Sequence, residues 1–358
     1  MKKKTGLLLS LTLAASTVLG ACGNSDKADS DKKGDKEFKV GMVTDVGGVD
    51  DKSFNQSAWE GLTKFGKDND LKKNEGYRYL QSSKDADYIP NLTKFAKDHY
   101  NTTFGIGYLM EKSIEKVAEQ YPKEQFAIVD TVVKKPNVTS ITFKDHEGSF
   151  LVGAVAAMTT KSNKVGFVGG VKSPLITKFE TGFKAGAKAV NPNIEIVSQY
   201  ADAFDKPEKG SVLASAMYGQ GVDVIYHASG ATGNGVFTEA KNRKKKGENV
   251  WVIGVDRDQN QEGMPENVTL TSMVKRVDVA VAKVAQEAKD GKLKGGKVEE
   301  FGLKDDGVGI AKTTDNVKKV NPEILTKIEE FEKKITAGEI KVPATDDEYK
   351  AYEAALKK

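Results

Sequence analysis

Short apolar runs alternate with longer segments of helical period along most of this chain. The apolar runs predict strands at Phe38–Thr44, Tyr77–Gln81, Thr103–Tyr108, Phe126–Val129 and Val138–Thr142. The series resumes at Lys164–Val168, Glu195–Gln199, Val222–Tyr226, Val250–Val255 and Leu270–Val274. Between them, apolar positions spaced three and four apart predict helices over Phe54–Asn69, Asn91–Tyr100, Ile114–Gln120, Ser149–Thr159 and Thr177–Asn191. Strands alternating with helices build βαβ units and therefore parallel sheets. About ten strands in 358 residues fit two doubly wound, Rossmann-like α/β lobes better than one oversized sheet.

The first lobe is expected to close near Phe143, where Asp145-His146-Glu147-Gly148-Ser149 opens a helix with a small face of Gly153, Ala154, Ala156 and Ala157. That face suits close packing at a lobe interface. Lys164 to Gly170 then restarts the strand pattern. No linker rich in proline or serine separates the halves, so hinged lobes with several chain crossovers are expected. The expected division is 37–143 plus about 257–295 for one lobe, and 144–256 plus about 296–358 for the other. Asn321–Lys358 reads as an amphipathic helix on Ile324, Leu325, Ile328 and Phe331, followed by a short second helix.

The first residues have a different character. Lys2, Lys3 and Lys4 precede an uncharged, apolar and small-residue stretch from Gly6 to Gly20, and Leu19-Gly20-Ala21-Cys22 ends it. The stretch is too short to cross about 30 Å of hydrocarbon and reads as a secretory signal, residues 1–21. Residues 23–36 carry no large apolar side chain, so 22–36 reads as a flexible tether. Setting the three leader lysines aside from the 55 basic residues leaves 52 against 51 acidic ones, a net charge of +1. A basic surface for nucleic acid is therefore not expected. The single cysteine excludes an internal disulfide, and His99, His146 and His227 are too dispersed to suggest a metal centre.

Open α/β sheets bind ligands at the carboxyl ends of their strands. Those positions hold Asp45, Gly107-Tyr108 and Asp130 in the first half, and Gly169-Gly170, Tyr226-His227, Asp256 and Lys275 in the second. Recurring acids, one lysine and glycine-rich turns suggest a cleft with converging polar groups. Before the first long helix, Gly47 and Gly48 permit a tight loop, and Ser53 is the expected N-cap. Phe54 and Asn55 then fall in the first helical turn, where an aromatic face beside an amide could stack a heterocycle and bond its edge. A buried phenylalanine with a polar neighbour is the plainer alternative.

The Asp45…Ser53-Phe54-Asn55 signature resembles the basic membrane protein family of bacterial lipoproteins, which includes purine nucleoside receptors. The blocks Val222–Phe237 and Trp251–Gln259 are similar to two further blocks of that family, and Leu19–Cys22 resembles the bacterial lipobox. The resemblance implies diacylglyceryl attachment at Cys22 after cleavage behind Ala21, and an anchor on the outer face of the cytoplasmic membrane. It implies a periplasmic-binding-protein type I fold with a hinge, and delivery of a purine nucleoside (inosine, guanosine or adenosine) to the permease and ATPase subunits of an ABC importer. A monomer with no cofactor, no metal and no catalytic residue is expected. By the same resemblance Phe54 is a plate against the purine, Asn55 and Asp130 bond base nitrogens, and Asp45 touches the base. Asp256 and Lys275 hold the ribose hydroxyls, and Gly230 gives close backbone approach. Tyr226, Phe179 and Phe204 compete for the opposite plate. Ala228-Ser229-Gly230-Ala231 stands where the family often has a second glycine, so the local backbone contacts are open.

These residue types suit a neutral nucleoside, because aspartates would repel a phosphate. A sugar or signalling ligand in the same fold is an alternative, as is an extracytoplasmic enzyme acting on nucleosides. Against the enzyme, the aspartates stand singly on separate strands. Gly230 to Gly235 and Gly166 to Gly170 do not give Gly-x-Gly-x-x-Gly, and Ser229 lacks a nucleophile elbow.

Overall fold

The computed structural model describes residues 37–356, so the expected leader 1–21, Cys22 and the 22–36 tether lie outside the described residues. Twelve strands are present among those residues. The first five are β1 (Val40–Val43), β2 (Tyr77–Leu80), β3 (Thr102–Ile106), β4 (Phe126–Val129) and β5 (Val138–Phe143). They are followed by β6 (Lys164–Gly169), β7 (Glu195–Tyr200), β8 (Val224–Ala228), β9 (Trp251–Asp256) and β10 (Thr269–Lys275). The last two, β11 (Val298–Phe301) and β12 (Val308–Ile310), are short. They form two six-stranded sheets, ordered β11-β5-β4-β3-β1-β2 and β12-β10-β9-β8-β6-β7. Pairing is parallel except between β10 and β12. The central strands β1, β3–β5, β6 and β8–β10 are almost wholly buried, as sheets covered by helices on both faces require.

Both sheets repeat one winding order, so each has its own switch point, between β1 and β3 and between β6 and β8. The chain passes from the first sheet to the second after Phe143. It does not return at residue 257. β10 pairs with β9 in the second sheet, so the return comes only after Lys275. The helix Val277–Lys289 then packs on the helix Phe54–Asp68 of the first lobe. β11 pairs with β5, which moves 298–301 from the second lobe to the first, and the chain crosses once more to place β12 beside β10. The reason is pairing: Thr269–Lys275 is a seven-residue buried strand that needs partners on both edges.

The small face of the Asp145–Thr159 helix is not a lobe interface either. A Cβ on Gly153 would stand 2.1 Å from the Phe183 carbonyl oxygen, so this face packs against the helix Pro174–Val190 of the same lobe. The helices Glu323–Thr336 and Asp346–Leu356 close over that pair. None of the helices among the described residues is long and apolar enough to cross a membrane.

Gly61 sets the approach of the Phe54–Asp68 helix to Val277–Lys289, because a Cβ there would lie 2.1 Å from the Asp278 carbonyl oxygen. Gly61→Ala should cost about 1–3 kcal/mol of stability, the usual range for overpacking. The check is the denaturant midpoint, and an unchanged midpoint would contradict the close helix contact.

Candidate functional site

The carboxyl ends of both sheets face each other across a cleft lined by residues of both lobes. The loop after β1 contributes Asp45, Gly47 and Asp51, and the helix it leads into contributes Phe54 and Asn55; Gly107 and Tyr108 follow β3, and Asp130 follows β4. From the second lobe come Leu175, Ile176 and Phe179 on the helix after β6, with Phe204 after β7. Ala228, Ser229 and Gly230 follow β8, Val255 and Asp256 end β9, and Lys275 ends β10. Both switch points therefore open onto one space, as their geometry demands.

The loop before the first helix is organised by a residue that sequence reasoning passed over. Ser53 occupies the N-cap position but makes no capping bond. The Asp51 carboxylate caps the helix instead, accepting from the backbone N–H of Ser53 (2.8 Å), Asn55 (2.8 Å) and Gln56 (3.1 Å). Ser53 is thereby free to donate its hydroxyl across the cleft to Asp256 Oδ2. Two adjacent acids before Lys-Ser-Phe were the available signal, since a carboxylate suits a helix N-terminus. Further bonds from the second lobe reach the same loop, Asn234 to the Asp51 carbonyl (3.2 Å) and Gln259 to the Lys52 carbonyl (2.9 Å). Arg257 meets Glu60 with two bonds of 3.0 and 2.7 Å.

Lys275 is the centre of the site, 1% exposed. Its ammonium lies 2.7 Å from Asp130 Oδ2 and 3.1 Å from Asp145 Oδ1. The rings of Phe54, Phe143 and Phe179 surround it at 5.2, 5.0 and 5.3 Å. Burial alone would push its pKa down, but Asp130, Asp145 and Asp256 outweigh burial and hold it charged, well above the ordinary lysine range. The Asp256–Lys275 pair expected from sequence is thus not a direct ion pair. Lys275 bonds the first lobe and the crossover, Asp256 bonds Ser53, and the two interact through their charges.

Burial pushes Asp45 up to about 7 despite bonds from Asn55 and the Gly47 N–H. It also pushes Asp256 up to about 7, with Lys275 and Ser53 pulling the other way. Asp130 is raised by burial too, opposed by Lys275. Asp130 and Asp256 both hold left-handed backbone, φ 73° and 64°, which aspartate tolerates better than most residues. Such backbone concentrates at functional sites.

Of the competing aromatics, Phe179 and Phe204 line the cleft and Tyr226 does not. Tyr226 is fully buried among Phe167 and Phe183, with its hydroxyl on Ser149, because its side chain points to the core face of β8. Phe204 meets Tyr108 edge-on across the cleft at 6.3 Å. Gly230 lines the cleft with φ 56°, a backbone that favours glycine.

Two crossed-over lobes shut around one polar and aromatic cleft are the architecture of a substrate-binding protein. A family model described as ABC transporter substrate-binding protein PnrA-like matches residues 38–346, and the chain belongs to that family. It is 56% identical over 357 residues to the CD4+ T-cell-stimulating antigen of Listeria innocua, covering 96% of this chain and 99% of the relative. It is 41% identical to the ABC transporter nucleoside-binding protein BmpA of Lactococcus lactis, covering 96% and 100%. Among solved structures, a solute-binding protein of an ABC transporter system from Aeropyrum pernix superposes with a TM-score of 0.79 at 26% identity, covering 89% of this chain and 97% of that one.

Asp256 moves from its ordinary 3.8 to about 7 on folding, so the folded state holds its proton more tightly. Its contribution to stability is full below about pH 4 and is lost as pH rises through about 7. Asp256→Asn should therefore flatten the fall in melting temperature of ligand-free protein across that window. Parallel melting curves for parent and variant would contradict the raised pKa.

Proposed function

We propose that the chain is a lipid-anchored, extracytoplasmic binding protein that captures purine nucleosides between its lobes and presents them to the permease and ATPase of an ABC importer. The observation that carries this reading is the pairing of Phe54, Phe179 and Phe204 with buried carboxyl and amide groups around a single lysine. Aromatic faces suit a base, and carboxylates suit the donors of a neutral ligand. The Lactococcus relative named as nucleoside-binding supports it.

In this reading Phe54 stacks on the purine, and Phe179 or Phe204 closes the other side. Asn55, Asp130 and Asp45 take the base edge. Asp256 accepts from ribose hydroxyls while Lys275 donates its remaining N–H, and Gly230 lets backbone approach the ligand. The protein acts as a monomer, uses no cofactor and no metal, and performs no chemistry. Closure itself is the signal to the permease, because the bond that Asp256 accepts from Ser53 and those that Gln259 and Arg257 donate to the first lobe form only when the lobes meet. Cys22 carries the lipid, so Cys22→Ser should release the protein from the membrane or leave it unprocessed; undiminished membrane retention of signal-free protein would contradict the anchor.

Phe54→Ala should weaken inosine binding by about 1–3 kcal/mol, the usual worth of a base–aromatic stack. Calorimetry on the folded variant is the check, and parental affinity would return Phe54 to the core. Asp256→Ala should strongly weaken inosine while changing the weaker binding of hypoxanthine little. Equal losses for both ligands would remove Asp256 from the ribose. A thermal-shift panel of nucleosides, bases, nucleotides and pentoses tests the ligand class, and stabilisation by pentoses alone would favour a sugar.

A further inference from the structure

The amide of Asn55 is held in one orientation by two carboxylates. Its Nδ2 donates to Asp45 Oδ1 at 2.7 Å and to Asp51 Oδ2 at 3.1 Å. A flipped amide would set Oδ1 against those same acceptor oxygens, where it could make neither bond. Asp51 cannot turn away, since its carboxylate is occupied by three backbone N–H groups at the helix start. Asp45 Oδ1 is likewise anchored by the Gly47 N–H at 3.1 Å. Asn55 Oδ1 is therefore left as a bare acceptor on a residue only 2% exposed, with no partner among the described residues. A second bare acceptor stands in the same cleft wall. Asp130 Oδ1 is buried and unpartnered, while Oδ2 is taken by Lys275 at 2.7 Å.

We infer that Asp51 is a positioning residue that turns Asn55 acceptor-outward, so that the cleft selects purines carrying an N1–H, with guanosine bound ahead of inosine and inosine ahead of adenosine. This rests on the nucleoside reading above and deepens it. Guanine presents adjacent N1–H and 2-amino donors to such a pair of acceptors, and hypoxanthine presents N1–H alone. Adenine presents the N1 lone pair, which would face an acceptor oxygen and leave it unpaired. Sites built to bond a donor discriminate sharply against analogues that lack it, because their own buried groups lose their partner.

The experiment is calorimetric titration of the full protein at pH 8, where Asp45 and Asp256, pushed up to about 7, are ionised. Guanosine, inosine, adenosine and 1-methylguanosine are compared on the parent and on Asp51→Asn. On the parent, guanosine should exceed adenosine by about tenfold or more, and 1-methylguanosine should lose a similar factor. Asn at position 51 can still cap the helix but sets an NH2 against the Asn55 Nδ2, so that Asp45 alone still holds that amide acceptor-outward. The guanosine-to-adenosine ratio of the variant should then fall while nucleoside binding persists. A purely structural role for Asp51 would weaken all ligands together and keep the ratio, which would overturn the inference. Equal affinities for all three nucleosides on the parent would also overturn it and leave the nucleoside reading standing. Binding of none of them would defeat that reading itself. Should Asp51→Asn fail to fold, the 1-methylguanosine comparison on the parent decides alone, and undiminished binding of that ligand would overturn the inference.

Discussion

One buried ammonium organises this protein. Lys275 ends the strand from which the chain crosses back to the first lobe; it donates to Asp130 in that lobe and forms an ion pair with Asp145 at the outgoing crossover. Its charge also reaches Asp256 in the second lobe. Stranding a partner of a buried ion pair typically costs about 3–5 kcal/mol. The lobes, the hinge and the ligand groups are thus tied to a single charge. Three phenylalanine faces around it exclude water and add cation–π attraction. Several carboxyl groups against one cation make the cleft inhospitable to an anionic ligand, and burial lets some of those groups take up protons near neutral pH.

The sheets deliver the chemistry to this point by repeating one winding order. Each switch point splays its neighbouring loops apart, and the two gaps face each other. The loop from Asp51 to Asn55 then serves several ends at once. It caps the first helix, orients the Asn55 amide, and supplies the backbone carbonyls and hydroxyl that meet the second lobe. Closure and recognition are consequently not separable in this loop.

Much of this was legible in the chain. Ten strands announced themselves as apolar runs, and the strand-end rule found Asp45, Asp130, Asp256 and Lys275 without any structure. β11 and β12 were not legible: one is Val298-Glu-Glu-Phe301 with alternating acids, the other only three residues, and both gain their pairing from a neighbour rather than from hydrophobic pattern. That same gap misplaced the return crossover at residue 257. Tyr226 misled because its strand runs on to Ala228, so it stands mid-strand with its side chain on the core face and not at the carboxyl end. Asp51 and Asp145 were invisible as site residues because their roles are relational. One acts by fixing an amide four residues on, and the other by meeting a lysine 130 positions away, a fact that only the crossovers create.

The central claim is that Lys275 and Asp130 act as one unit in joining the lobes around a ligand. A double-mutant cycle with Lys275→Met and Asp130→Asn, read as inosine affinity by calorimetry on folded protein, tests it most directly. The account predicts strong coupling, with the double variant binding no more weakly than the worse single variant. Losses that simply add would contradict it, because each side chain would then be contributing on its own.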